Sequence, residues 1–280
     1  MLRPRLLPGC ADDLQITKMK QFIQDFLWKC FFQKKRKLNE FPSDFADWEI
    51  DIIKRVRPYT MTSNERLQGL IQSVKYIVEN DIPGDIVECG VWKGGSMMAA
   101  ALTLQLFGDT SRKLWLYDTY EGMTSPSDED VSFENHSASD LMSKYAKRKH
   151  ESEFWAIGLI EEVQKNLGST AYPEDATLFI RGDVLDTIPR IIPERIALLR
   201  LDTDWYASTK HEMVHLYPRL VEKGVLIVDD YGYWRGSQKA IDEYFEHKNH
   251  RILLCRLDET GRVGLKTMDC SLGSIPGNEN

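Results

Sequence analysis

Between residues 14 and 36, Leu14, Met19, Phe22, Ile23, Phe26, Leu27, Cys30 and Phe31 recur near helical spacing, and the basic run 34–37 follows them. The spacing predicts a core- or partner-facing helix with cations at its C-terminal end, where the helix dipole favours them. Its polar face also carries Gln24 and Asp25, which argues against a helix lying in a membrane surface. A second helix is predicted over 46–57. A third is opened by Thr62 or Ser63 as N-cap, has Glu65 and Arg66 in its first turn, and runs to about residue 79.

The rhythm then changes to short apolar runs at 85–89 (DIVEC), 113–118 (KLWLYD), 177–180 (TLFI), 196–202 (IALLRLD) and 225–230 (VLIVDD). Helical stretches at 96–107 and 206–220 separate some of them, so the pattern predicts βαβ units and a doubly wound, mainly parallel sheet with covered faces. The runs 251–256 and 263–267, joined by DETG, predict a closing antiparallel hairpin. Residues 124–168 break the alternation, polar and acidic at first and then helical in pattern. Such an insertion suggests a lid, an interface or a disordered excursion. The expected organisation is an N-terminal helical extension over 1–60 for closure or assembly, a Rossmann-like domain over 61–270, and a loose tail over 271–280.

Composition narrows the functional classes. With 43 acidic and 36 basic residues the chain carries a net charge of −7, against the basic surface that tracks nucleic-acid phosphates. No apolar run approaches the ~18 residues that cross a bilayer. The opening MLRPRLLPGCADDLQ turns acidic too early for a secretory signal. Five cysteines without a CxxC pair fit reduced thiols, so the expected location is the cytoplasm. The expected partner is a small molecule, without nucleic acid or membrane, and the aromatic helix suggests a homo-oligomer.

Three features carry chemistry. VECGVWKGGS leads from a strand through glycines into a helix start, where backbone N–H groups meet an anion. It lacks the Lys-Ser or Lys-Thr pair of a phosphate loop and the dinucleotide spacing, leaving a nucleoside-type site or simply tight strand-to-helix packing. Asp118 ends the second strand, where a carboxylate suits two ribose hydroxyls or simply faces solvent; Arg181, Gly182 and Asp183 share that edge, near an adenine amino group. Asp202 and Asp204 follow one strand, and Asp229 and Asp230 another. Four carboxylates at one sheet edge repel unless a cation or proton offsets them, and oxygen-only ligands select Mg²⁺ or Ca²⁺ over zinc. Alternatively, Asp204 caps the following helix and one of the Asp229/Asp230 pair binds only backbone.

RPYTMTS with Glu65 and Arg66, IPGDIVECGVWKGGS, LYDTYEGM, LRLDTDWYAST, LYPRL and IVDDYG together resemble the macrocin O-methyltransferase family, from about residue 45 to 267. Its members methylate sugar hydroxyls on antibiotics such as macrolides and aminocoumarins. The resemblance implies a class I methyltransferase fold with S-adenosyl-L-methionine and Mg²⁺ as cofactors. It further implies Asp202, Asp229 and Asp230 as metal ligands, with Asp202 also the general base. Glu88, Gly90, Ser96, Asp118 and Asp183 would hold S-adenosylmethionine, with Thr60, Met61 and Thr62 closing over its methionine end. Asp204, Trp205 and Tyr206 would stand behind the ligands or toward the substrate, and Asp204 is the other candidate for the base. Thr203, often glycine in the family, and Trp205 depart from the commoner form and narrow the expected acceptor pocket. The competing expectations are a metal-independent methyltransferase and a non-catalytic S-adenosylmethionine-binding protein of the same fold.

Overall fold

The computed structural model describes residues 41–149, 153–248 and 252–267; the helix expected at 14–36 and the tail lie outside them. The chain divides into a unit Met1–Ala46 and a unit Asp47–Asn280, and the sheet and the site belong to the second. In the first, the rings of Phe41 and Phe45 lie 6.0 Å apart.

In chain order the helices are α1 (Asp47–Val56), α2 (Asn64–Glu79), α3 (Gly95–Leu106), α4 (Ala138–Tyr145), α5 (Ile160–Gly168), α6 (Val184–Thr187), α7 (Tyr206–His215) and α8 (Arg235–His247). The strands are β1 (Asp85–Cys89), β2 (Leu114–Asp118), β3 (Thr177–Arg181), β4 (Ile196–Leu201), β5 (Leu220–Val228), β6 (Cys255–Arg256) and β7 (Arg262–Leu265). They form one sheet in the order β3-β2-β1-β4-β5-β7-β6. The first five are parallel, and β7 adds antiparallel to β5 as one arm of the closing hairpin. This is the doubly wound arrangement expected from the alternating pattern. Its strand order reverses between β1 and β4, where open α/β sheets bind ligands.

Local chemistry explains the elements. Ser63 caps α2, its hydroxyl accepting the Arg66 N–H, and Leu67, Leu70, Ile71, Val74 and Ile77 form the buried stripe. Every residue of β4 is buried, as a central parallel strand covered on both faces requires. Cys89, Leu201 and Val228 from β1, β4 and β5 pack with Met213 and Ile241 from α7 and α8. Among the described residues no helix is long and apolar enough to cross a membrane.

Three details differ from the sequence pattern. Helix α7 stops at His215 and a 3₁₀ turn, Tyr217–Arg219, replaces its expected last turn, because Pro218 cannot continue the hydrogen-bond ladder. Strand β5 starts at Leu220, five residues early, behind the exposed pair Glu222 and Lys223 that hides its pattern. The first part of the 124–168 insertion pairs with the segment leading into α8: Phe133 N donates to Tyr233 O (2.8 Å) and Arg235 N to Val131 O (2.9 Å).

Candidate active site

The strand ladder continues one step past the carboxyl ends of the strands. Gly90 N donates to Tyr117 O, Asp202 N to Cys89 O and Asp229 N to Leu201 O, at 2.8–2.9 Å. One row therefore presents Gly90, Asp202 and Asp229, with Asp118 beside it on β2. Gly90 has φ +83°, and a Cβ there would overlap the carbonyl of Asp202. This glycine is required by the approach of the neighbouring strand's loop, which is the packing reading of the glycine turn.

A cavity of about 430 Å³ opens at this edge. Its walls include Thr60, Met61, Thr62, Gly90, Ser96, Asp118, Asp183, Asp202, Asp229 and Asp230. Ser96 stands in the first turn of α3, whose positive dipole end faces the cavity. The Asp118 carboxylate accepts from Val91 N (2.6 Å), Trp92 N (3.1 Å) and Tyr120 N (2.7 Å), so it shapes the turn after β1 as well as the cavity wall. Burial raises its carboxyl despite those bonds. Asp183 caps α6 through Leu185 N (2.9 Å), while Arg181 pairs with Glu121 at the exposed surface. Glu88, expected to hold the cofactor, is not among the residues that line the cavity. It is 1% exposed and pairs with Arg200 Nη1 at 2.6 Å, and burial, opposed by Arg200, raises its carboxyl to about 7.

Oxygens of Asp202, Asp229 and Asp230 lie within 4.8 Å of one another. Two arginines, unassigned in the sequence reading, pair with this cluster. Arg200 Nη1 also reaches Asp202 Oδ2 at 2.7 Å, and Nη2 reaches Asp229 Oδ1 at 2.5 Å. Arg66 pairs with Asp229 Oδ2, and the Thr62 hydroxyl donates to Asp229 Oδ1 at 3.2 Å. A signal for Arg200 existed: a charged residue inside the apolar run IALLRL needs a buried partner. Glu88, Asp202, Asp204, Asp229 and Asp230 carry five potential negative charges against the two guanidinia. Burial first, then the neighbouring carboxylates, pushes Asp202 and Asp230 well above the usual range. Asp230 Oδ2 is buried without a hydrogen-bond partner among the described residues. Excess negative charge, converging oxygens and an orphaned acceptor fit a hard divalent cation.

Asp204 does not cap α7. Its φ is +66° and its carboxylate accepts from Trp234 Nε1 at 2.8 Å. Burial and the charge of Asp202 raise its carboxyl to about 8, against that hydrogen bond. The cap is Asp130 from the insertion, which accepts Tyr206 N at 2.7 Å and the N–H and hydroxyl of Ser127. Trp205 donates to Thr124 O at 3.1 Å and packs edge-on against Trp234, with centroids 5.1 Å apart. With Met123, Phe154 and Tyr233 they form an apolar side to the cavity. Behind it, Thr203 donates to Glu212, whose carboxyl burial raises to about 8.

A doubly wound sheet with this cavity at its switch point defines a class I S-adenosylmethionine-dependent methyltransferase fold. Residues 13–263 match the model of the Macrocin-O-methyltransferase (TylF) family, and the chain belongs to that family of O-methyltransferases. It is 35% identical over 203 residues to the 8-demethyl-8-(2,3-dimethoxy-alpha-L-rhamnosyl)-tetracenomycin-C 4'-O-methyltransferase of Streptomyces olivaceus, covering 72% of this chain and 74% of that one. It is 29% identical over 206 residues to the mycinamicin III 3''-O-methyltransferase of Micromonospora griseorubida, covering 72% and 76%. Among solved structures, the O-methyltransferase NovP superposes with a TM-score of 0.65 at 29% identity, over 75% of this chain and 83% of that one.

Proposed function

We propose that the protein transfers the methyl group of S-adenosylmethionine to one hydroxyl of a vicinal diol on a small natural product, a sugar unit being the foremost acceptor, with Mg²⁺ held by Asp202, Asp229 and Asp230. The observation that carries the metal is the convergence of those carboxylates with more negative charge than Arg66 and Arg200 offset. The relative from Streptomyces olivaceus, named for 4'-O-methylation of a dimethoxy-rhamnosyl unit, supports a sugar hydroxyl as the acceptor; the vicinal diol rests on chelation by the metal.

Bound there, S-adenosylmethionine supplies an activated sulfonium methyl and Mg²⁺ lowers the pKa of an acceptor hydroxyl. The chain supplies the rest. The start of α3, with Ser96, receives the carboxylate of the methionine end, and Thr60, Met61 and Thr62 cover it. Asp118 retains acceptor capacity for a ribose hydroxyl beyond its backbone bonds, and Asp183 borders the adenine side. Asp202, one oxygen tied to Arg200 and its side chain at the cavity wall, accepts the acceptor's proton. The aromatic side excludes water and fixes the acceptor near attack distance, an effect worth up to roughly 7–11 kcal/mol.

Metal-free transfer is the competing reading, and the two arginines that already offset part of the cluster favour it. Thermal melting separates the two. S-adenosylhomocysteine should raise Tm, and Mg²⁺ should raise it further; an Mg²⁺ response absent both with and without S-adenosylhomocysteine favours metal-free transfer.

A further inference from the structure

The turn of the closing hairpin reaches the carboxylate cluster through one arginine. Arg66, in the first turn of α2, pairs through Nη1 with Asp229 Oδ2, and its Nε lies 2.9 Å from Asp258 Oδ2. That second contact is one of charge, since the Nε–H is not aimed at the oxygen. Asp258 is itself held firmly. Its Oδ1 accepts Thr260 N (2.9 Å) and Gly261 N (2.7 Å), and its Oδ2 accepts the Ser63 hydroxyl (2.6 Å). A Cβ at Gly261 would lie 2.6 Å from Arg66 Cδ, so the arginine stem lies directly across the turn. The guanidinium is thus shared between a fixed carboxylate outside the cluster and Asp229 inside it.

We propose that Asp258 is a positioning residue for the metal centre: by sharing Arg66, it sets how strongly that guanidinium competes with a divalent cation for Asp229. This rests on the metal reading above. With Asp258 ionised, Arg66 has a second anionic partner and the neighbourhood is one unit more negative. Without that charge, Arg66 answers to Asp229 alone, and a cation entering the cluster must displace a fully committed guanidinium. Asparagine at 258 preserves the two backbone bonds of the turn, so the charge can be removed while the hairpin geometry stays.

Mn²⁺ titration of the full chain, followed by electron paramagnetic resonance without cofactor or acceptor, tests this. Asp258→Asn should weaken Mn²⁺ binding on the order of tenfold, because the guanidinium then gives its whole charge to Asp229 at intermediate dielectric. Asp258→Glu, which keeps the charge, should restore most of it, whereas a merely structural role predicts loss in both. Arg66→Met should bind Mn²⁺ more tightly, and adding Asp258→Asn to it should cost much less than in the unsubstituted protein. An Asp258→Asn protein with unchanged affinity, or an equal penalty with and without Arg66, overturns the role of Asp258 alone. No Mn²⁺ binding by the unsubstituted protein overturns the metal reading and this one together.

Discussion

Arg200 sits in the middle of a fully buried strand, and three carboxylates converge on its guanidinium. Glu88 therefore serves the cluster through Arg200, behind the cavity wall. Asp202 and Asp204 diverge in the same physical terms. Asp202 offers an oxygen to the cavity beside Asp229 and Asp230, while Asp204 is turned to the indole of Trp234. Asp202→Asn should lose most methyl transfer at saturating Mg²⁺ yet bind S-adenosylhomocysteine nearly normally by calorimetry, because the lost interaction belongs to the developing alkoxide. Asp204→Asn should be milder; the reverse order moves the proton acceptor two residues along the chain. Glu212 carries a pH signature of its own. Burial raises its carboxyl from 4.5 to about 8, so the stability it contributes is complete below about pH 4.5 and is lost as pH rises through 8. Denaturant melts of Glu212→Gln should show a shallower fall of stability across that window, by up to ~1.4 kcal/mol per pH unit, and a protein more stable than the original above pH 8. An unchanged slope would mean the group titrates normally. The four aspartates were legible as strand-end carboxylates; of their arginine partners, Arg200 leaves a signal as a charge inside an apolar run, whereas Arg66, 163 residues from Asp229, leaves none.

The 124–137 segment joins the loop before α8 and caps α7 through Asp130, an aspartate of 1% exposure inside an insertion whose pattern left a lid, an interface and a disordered excursion open. Composition hides this packing: the Asp130 carboxylate is spent on Tyr206 and Ser127, and the backbone groups of Val131 and Phe133 bond to Arg235 and Tyr233. Asp130→Ala should cost about 1–2 kcal/mol by chemical denaturation, as loss of an N-cap does, and should loosen the Thr124–Trp205 contact beside the acceptor side. A loss below a few tenths of a kcal/mol would show that the cap is dispensable. Helix α8 went unread for a related reason. Its buried stripe is Gly236, Ser237, Ala240, Ile241 and Phe245, too weakly apolar to stand out from a charged sequence. The strands and α2 were readable because β1 and β4 carry consecutive buried residues and the capped stripe of α2 recurs every three to four residues within one short stretch.

Across the whole molecule, the alternation of short apolar runs with helices specifies the doubly wound sheet, and residues at the carboxyl ends of five strands meet around one cavity. The parts that escaped the sequence pattern are countercharges and caps, which depend on pairs far apart in the chain. The cluster keeps more carboxylates than its two arginines neutralise, an arrangement that is costly unless a cation or bound protons offset it. The most direct measurement is mass spectrometry of a panel of glycosides and catechols incubated with the protein, S-adenosylmethionine and Mg²⁺, with and without EDTA. The expected result is a gain of one CH₂ on at least one vicinal diol, abolished by EDTA and restored by excess Mg²⁺. A gain that survives EDTA undiminished would contradict the metal-assisted transfer.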